Sequence, residues 1–169
     1  MMRTDYVIDA ANRLIERTGT RNPREICRQM GVCLYDTNLK NQLKGLYFTM
    51  YRQKVIVIDG NETEEMQNML IAHELGHSIL HRHSPSPKGY HLFETDETNI
   101  EEREANLFAA ELLLEKDTVM GLLRDYSVSQ AAAIEKVPVQ VMMLKLQIMQ
   151  RYDDRIKDVG TVKSTFLKD

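Results

Sequence analysis

The chain predicts an α+β fold, a small three-stranded sheet set among helices, and three observations carry that expectation. Apolar residues recur at helical spacing near the start and through the last third of the 169 residues. Between Val32 and Ile58, three short runs are instead rich in β-branched and aromatic residues. After them comes His73-Glu74-Leu75-Gly76-His77, whose histidines share a face only if the string is helical.

The elements follow in order. Tyr6, Val7, Ala10, Ala11, Leu14 and Ile15 form a helical stripe that Gly19 ends. Asn22-Pro23-Arg24-Glu25 reads as a capping-box start with proline at the first helical position, and this short helix stops at Gly31. Residues 32–35 read as a strand and 36–44 as polar and turn-like. Residues 46–51 and 55–58 read as a hairpin joined by Arg52-Gln53-Lys54. Asn61 with Glu64 reads as the capping box of the next helix, where Met66, Met69, Leu70, Ala72 and Leu80 keep a 3.6-residue period.

Residues 82–99 form a loop containing Pro85, Pro87 and Gly89, long enough to suggest a function. Residues 100–114 read as a fourth helix, 117–126 as a fifth, and Ser127-Val128-Ser129 caps a sixth that ends near Pro138. A longer helix rich in methionine covers 139–152. The expected organisation is a core over 1–115, a helical extension over 116–152 packed on it, and a tail over 153–169.

Composition narrows the class. Hydrophobic content of 43% and charged content of 28% fit a globular chain with a real core. No apolar run approaches the roughly 20 residues a membrane span needs. The first residues continue into an amphipathic pattern rather than an apolar signal core. Cys27 and Cys33 lack zinc-type spacing and are too few for a disulfide framework, which points to a reducing cytoplasmic setting. The net charge of −3 is segregated: residues 61–135 hold 5 Lys+Arg against 15 Asp+Glu, so −10, while 1–60 stand at +4 and 136–169 at +3. Negative potential around the central segment favours a divalent cation and a basic partner; a solvated acidic helix face accounts for part of it.

The string at 73–77 carries chemistry. Two imidazoles four apart on a helix can reach one zinc ion at about 2.0–2.1 Å each. Glu74, one position round, can take a proton from a zinc-bound water whose pKa has fallen to about 7. This spacing is a known signature of peptide-bond hydrolysis. His81 extends the series, but about 12 Å along the axis separates it from His73, so one ion cannot bind both. The leading pair His73 and His77 has the glutamate; His81 reads as an outer partner.

A catalytic zinc needs a third protein ligand. Spacing leaves His83, His91, Glu94, Asp96, Glu97, Glu101, Glu102 and Glu104 open. On the helix over 100–114, Phe108 and Leu112 lie four apart and mark a core-facing row that Glu104 extends, whereas Glu102 and Arg103 point more outward. A carboxylate on a buried stripe is costly unless paired or metal-bound, which favours Glu104. A plain first-turn glutamate favoured by the helix dipole is the bland alternative.

The stretch from His73 to His81, His-Glu-Leu-Gly-His-Ser-Ile-Leu-His, followed by Glu102-Arg103-Glu104-Ala105-Asn106-Leu107-Phe108-Ala109-Ala110-Glu111-Leu112-Leu113, resembles the ImmA/IrrE family of bacterial metallopeptidases. The resemblance is strongest over residues 45–115. It implies a zincin-like core with an active-site helix and a C-terminal helical segment. It also implies Zn2+ held by His73, His77 and the glutamate before Ala-Asn, here Glu104, with Glu74 as general base. The set is of the gluzincin type, two motif histidines plus a glutamate. Size and the N-terminal helices look most like the branch encoded by mobile elements. Those proteins cleave a helix-turn-helix repressor of a phage or integrative element. The chain departs from many relatives in carrying Glu115 where proline follows the Leu-Leu run, which bears on the helix end.

Three activities compete on these grounds. The first is a zinc endopeptidase with a narrow protein substrate. The second is a regulatory or antitoxin-like binding module that keeps the zinc site without cutting. The third is a transcription regulator acting through the C-terminal helices, whose arrangement resembles a helix-turn-helix remnant. Lys145 and Arg151 are the only basic residues of 139–152, too few for groove reading, so partner binding is expected there rather than nucleic-acid binding. In the 82–99 loop, His83, Tyr90 or His91 could stabilise a developing oxyanion.

Overall fold

A computed structural model describes residues 3–39, 43–81 and 99–152 of the protein. The expectations for His83, Tyr90, His91, Glu94, Asp96 and Glu97, and for the tail from Asp153, lie outside the described residues.

The fold is α+β, with seven helices and one mixed three-stranded sheet among the described residues. Helix α1 (Arg3–Thr18) buries Val7, Ala11 and Leu14 as the stripe requires, while Tyr6 is exposed. Gly19 and Gly31 take φ of +67° and +65°, the left-handed conformation that ends a helix at low steric cost. Asn22 caps α2 (Pro23–Gln29), its side chain accepting from the Arg24 and Glu25 amides. The capping box is only half made, because Glu25 turns to Arg28 and Gln29 instead.

Strands β1 (Cys33–Thr37), β2 (Gly45–Met50) and β3 (Gln53–Asp59) form a sheet in the order β1-β3-β2. Central β3 runs parallel to β1 and antiparallel to β2. The hairpin turn is tighter than expected: Tyr51 and Arg52 alone form it, at φ of 49° and 65°, and Gln53 and Lys54 already pair in β3. Two-residue hairpin turns need positive φ at both central positions, which normally favours asparagine and glycine. Ile56 and Ile58 alternate onto the face that joins the core.

Helix α3 (Glu64–Leu80) packs on the β2–β3 face and against α4 (Ile100–Leu113). Its cap is Thr63, whose hydroxyl accepts from the Met66 amide, not Asn61. Asp59 captures Asn61 through both its backbone and its side-chain amide, so Asn61 serves the turn before the helix. Helix α4 ends without a proline because Arg21 donates to the carbonyls of Glu111, Leu112 and Leu114 at 2.7, 3.1 and 3.4 Å. These are carbonyls that a helix end leaves without intrahelical partners.

Helices α5 (Lys116–Asp125), α6 (Val128–Ile134) and α7 (Val139–Tyr152) complete the chain's described part. A full capping box between Ser127 and Gln130 starts α6. α1 and α7 both pack on α4, and Met142 and Met149 are core residues. Lys145, counted from sequence among the basic residues of α7, is only 2% exposed and pairs with Glu111 of α4 at 2.7 Å, so it is not available to a phosphate. None of the described helices is long and apolar enough to cross a membrane.

Candidate metal centre

The site forms where α3 and α4 touch. Gly76 permits the contact: a Cβ there would lie 3.1 Å from the Ala105 Cα and 3.3 Å from Phe108 Cβ. Two backbones can approach this closely only where side chains are small. The part of α4 that faces α3 therefore holds Ala105, with Glu102 one turn before it and Asn106, four positions from Glu102, next to it.

On α3, His73 and His77 present their Nε2 atoms to one another at 3.0 Å. Glu102 completes the group, with Oε2 3.2 Å from His73 Nε2 and Oε1 3.3 Å from His77 Nε2. His73 and His77 are buried, and the Glu102 side chain is 24% exposed, so solvent reaches the group from the Glu102 side. Glu104, expected as the third donor, lies elsewhere: its Oε2 is 2.9 Å from His81 Nε2. Two positions along a helix is a rotation of about 200°, so Glu102 and Glu104 cannot serve the same face. Phe108 itself meets Gly76 of α3, so the α3-facing surface of α4 runs through Ala105 and Phe108, with Glu102 on the flank beside His73 and His77 and Glu104 on the flank beside His81. A polar pair four apart, Glu102 and Asn106, flanking Ala105 is the sequence signal that identifies the α3-facing row.

Hydrogen bonds set the proton positions. His73 Nδ1 is 2.9 Å from Asn106 Oδ1, an acceptor, so the ring donates there and leaves Nε2 bare. His77 Nδ1 is 3.0 Å from His81 Nδ1, and His81 Nε2 faces the Glu104 carboxylate. Burial drives the His73 pKa below its ordinary value, partly offset by Glu102, which favours the neutral ring. Desolvation pushes Glu102 upward, but its contacts with the two imidazoles outweigh it and hold the carboxyl well below the usual range. Two ring nitrogens and a carboxylate thus converge within 4.8 Å. Their lone pairs repel one another unless a proton or a metal ion sits among them. Donors about 2.0–2.1 Å from a tetrahedral ion lie about 3.3–3.4 Å apart, close to the 3.0–3.3 Å spacings here. The donor set fits a divalent metal.

Glu74 is fully buried beside this group, and neither of its oxygens has a well-formed hydrogen bond among the described residues. Desolvation, then the negative charge of Glu102, raises its pKa well above the carboxylate norm; the Tyr47 backbone N–H works weakly the other way. Edge strand β2 presses on it from the opposite side. A Cβ on Gly45 would meet Glu74 Oε1 at 2.8 Å, so only glycine lets the strand come this near.

The α+β fold and this helix-borne donor group define a protein built around a candidate divalent-metal centre. Comparison with known proteins takes the next step. Residues 27–153 match the IrrE N-terminal-like domain model. The chain is 33% identical over 140 residues, 80% of its length and 86% of the other's, to "Uncharacterized immunity region protein 2" of Bacillus phage phi105. It is 30% identical over 146 residues, 85% of each chain, to "Metallopeptidase ImmA" of Bacillus subtilis (strain 168). The protein belongs to the ImmA/IrrE family of metallopeptidases.

Proposed function

We propose that the protein is a zinc-dependent, site-specific endopeptidase that cleaves a helix-turn-helix repressor of a phage or integrative element. The observation that carries this reading is the buried, unsatisfied Glu74 carboxylate beside three converging metal donors. His73, His77 and Glu102 would hold the ion, within a zincin-like core of gluzincin type. The expected Glu104 gives way to Glu102 in that set on the distances above.

The metal, when bound, supplies a Lewis acid that polarises the scissile carbonyl and acidifies water. Glu74 accepts the proton of the attacking water and returns it to the leaving amide nitrogen. Its burial strengthens its hold on that proton between the two transfers. Asn106 and His81 orient the two imidazoles. Strand β2 is paired on one side only among the described residues, and an extended peptide is what an open strand edge accepts. The immunity-region and ImmA names of the two relatives support a repressor as the substrate.

The test is incubation of the full chain with the helix-turn-helix repressors of its own genome, read by mass spectrometry. One discrete cut is expected, abolished by chelator and by Glu74→Gln, because a glutamine cannot accept the proton. Measurable binding with the partner left intact would favour a non-proteolytic binding module instead.

A further inference from the structure

We infer that the tip of the β2–β3 hairpin, Met50-Tyr51-Arg52, is a docking finger that holds the protein substrate away from the bond being cut; this rests on the endopeptidase reading above. Tyr51 and Arg52 take φ of 49° and 65°. Left-handed backbone strains a residue that carries a Cβ, which is why such turns normally hold asparagine and glycine. Tyrosine and arginine therefore occupy this turn at a cost in stability. Nothing local offsets that cost. Tyr51 is 96% exposed and Met50 is 53% exposed, and among the described residues neither the Tyr51 nor the Arg52 side chain has a hydrogen bond or an ion pair. Strain that persists without local compensation marks a position held for another purpose.

The tip is held in place from below. Gln53 Nε2 donates to the Gly31 carbonyl in the turn after α2, and Lys54 Nζ donates to the Ser78 carbonyl near the end of α3 at 2.8 Å. Strand β2 links the tip to the candidate centre. Gly45 abuts Glu74, and five steps of about 3.4 Å lead to Met50, so the tip stands about 17 Å from that carboxylate. A substrate strand laid along the free edge of β2 would reach the tip only several residues from the reacting bond. The side chains define the partner surface. Tyrosine, methionine and arginine are the residues enriched where interfaces bury their centres. Tyr51 supplies a large contact area for the loss of few rotamers, and the Arg52 guanidinium is a planar fork that matches a carboxylate. The surface that fits is an apolar hollow edged by an aspartate or glutamate on the folded substrate.

Tyr51→Asn combined with Arg52→Gly is the test, because that pair keeps the turn and removes the finger. Relief of the backbone should raise the Tm of the full chain by about 2–8 °C, so misfolding does not cloud the result. The same variant should cut the helix-turn-helix repressor at the wild-type bond, with KM higher by about tenfold or more and kcat within about twofold. A contact made equally before and during the reaction raises KM alone. Tyr51→Phe, which keeps the ring, should hold KM near the wild-type value. In the double variant, a KM within about twofold of wild type, or a loss confined to kcat, would overturn the inference. A Tm that stays level or falls would overturn it too. If the wild type binds a repressor without cutting it, the endopeptidase reading fails. The Kd of the double variant against that repressor, again expected to be about tenfold or more weaker, then decides the inference separately.

Discussion

Gly76→Ala probes the contact on which the centre depends. The added Cβ would sit 3.1 Å from Ala105 Cα and 3.3 Å from both Cβ and Cδ1 of Phe108. Two effects of opposite sign compete. Replacing a helical glycine by alanine gains about 1 kcal/mol of helix propensity. Overpacking a filled contact costs typically about 1–3 kcal/mol. Ala105 Cα belongs to helix backbone and Phe108 is fully buried, so neither neighbour yields easily. The difference is a loss of up to about 2 kcal/mol. At about 2–4 °C per kcal/mol for a chain of this size, Tm should fall by up to about 8 °C. Thermal unfolding of metal-free protein, followed by circular dichroism, measures it. The close packing is refuted if the variant melts about 2–4 °C higher, the result that propensity alone would produce. Any shift of α4 also carries Glu102 away from the histidines, so zinc affinity should fall with stability.

Other perturbations separate structure from chemistry. Glu111→Ala strands the Lys145 ammonium in the core and should cost about 3–5 kcal/mol in urea unfolding, whereas Lys145→Met with Glu111→Leu should be neutral or more stable. Burial holds the Lys145 pKa below the ordinary 10.5, so the unfolded chain binds more protons in that window and stability rises with pH towards 10.5; Lys145→Met in the double variant should flatten that slope. Gly45→Ala should displace Glu74 and lower kcat by as much as about 100-fold, the typical effect of a misplacement near 1 Å, while zinc affinity stays close to wild type. Zinc at about 100 times its Kd should add about 2.7 kcal/mol to wild-type stability, seen as a higher Tm that chelator reverses; in Glu102→Ala the shift should vanish at the same concentration.

Much of this was legible from sequence, for physical reasons that also explain the misses. The string at 73–77 was readable because helix geometry fixes where residues four apart must point. The three strands were readable because Ile56 and Ile58 sit in a run that suits a pleated, half-buried surface. The helix caps were less so: Asn61 and Thr63 both suit a cap, and Asp59, a neighbour in the folded turn, decides between them. Glu104 was favoured over Glu102 because large apolar residues were used to find the inward face of α4. Phe108 and Ala105 mark one face against α3, and the two glutamates flank it: Glu102 on the side of His73 and His77, Glu104 on the side of His81, a choice that only the fold makes. Lys145 looked like a surface cation because its partner, Glu111, is 34 residues away and only the fold brings them together.

The central claim is that His73, His77 and Glu102 form one metal centre. Anomalous diffraction at the zinc edge from crystals of the zinc-loaded protein tests it most directly. A single strong peak is predicted in contact with His73 Nε2, His77 Nε2 and the Glu102 carboxylate, with Glu104 remaining on His81. A peak bound by Glu104 in place of Glu102, or no peak between α3 and α4, would contradict it.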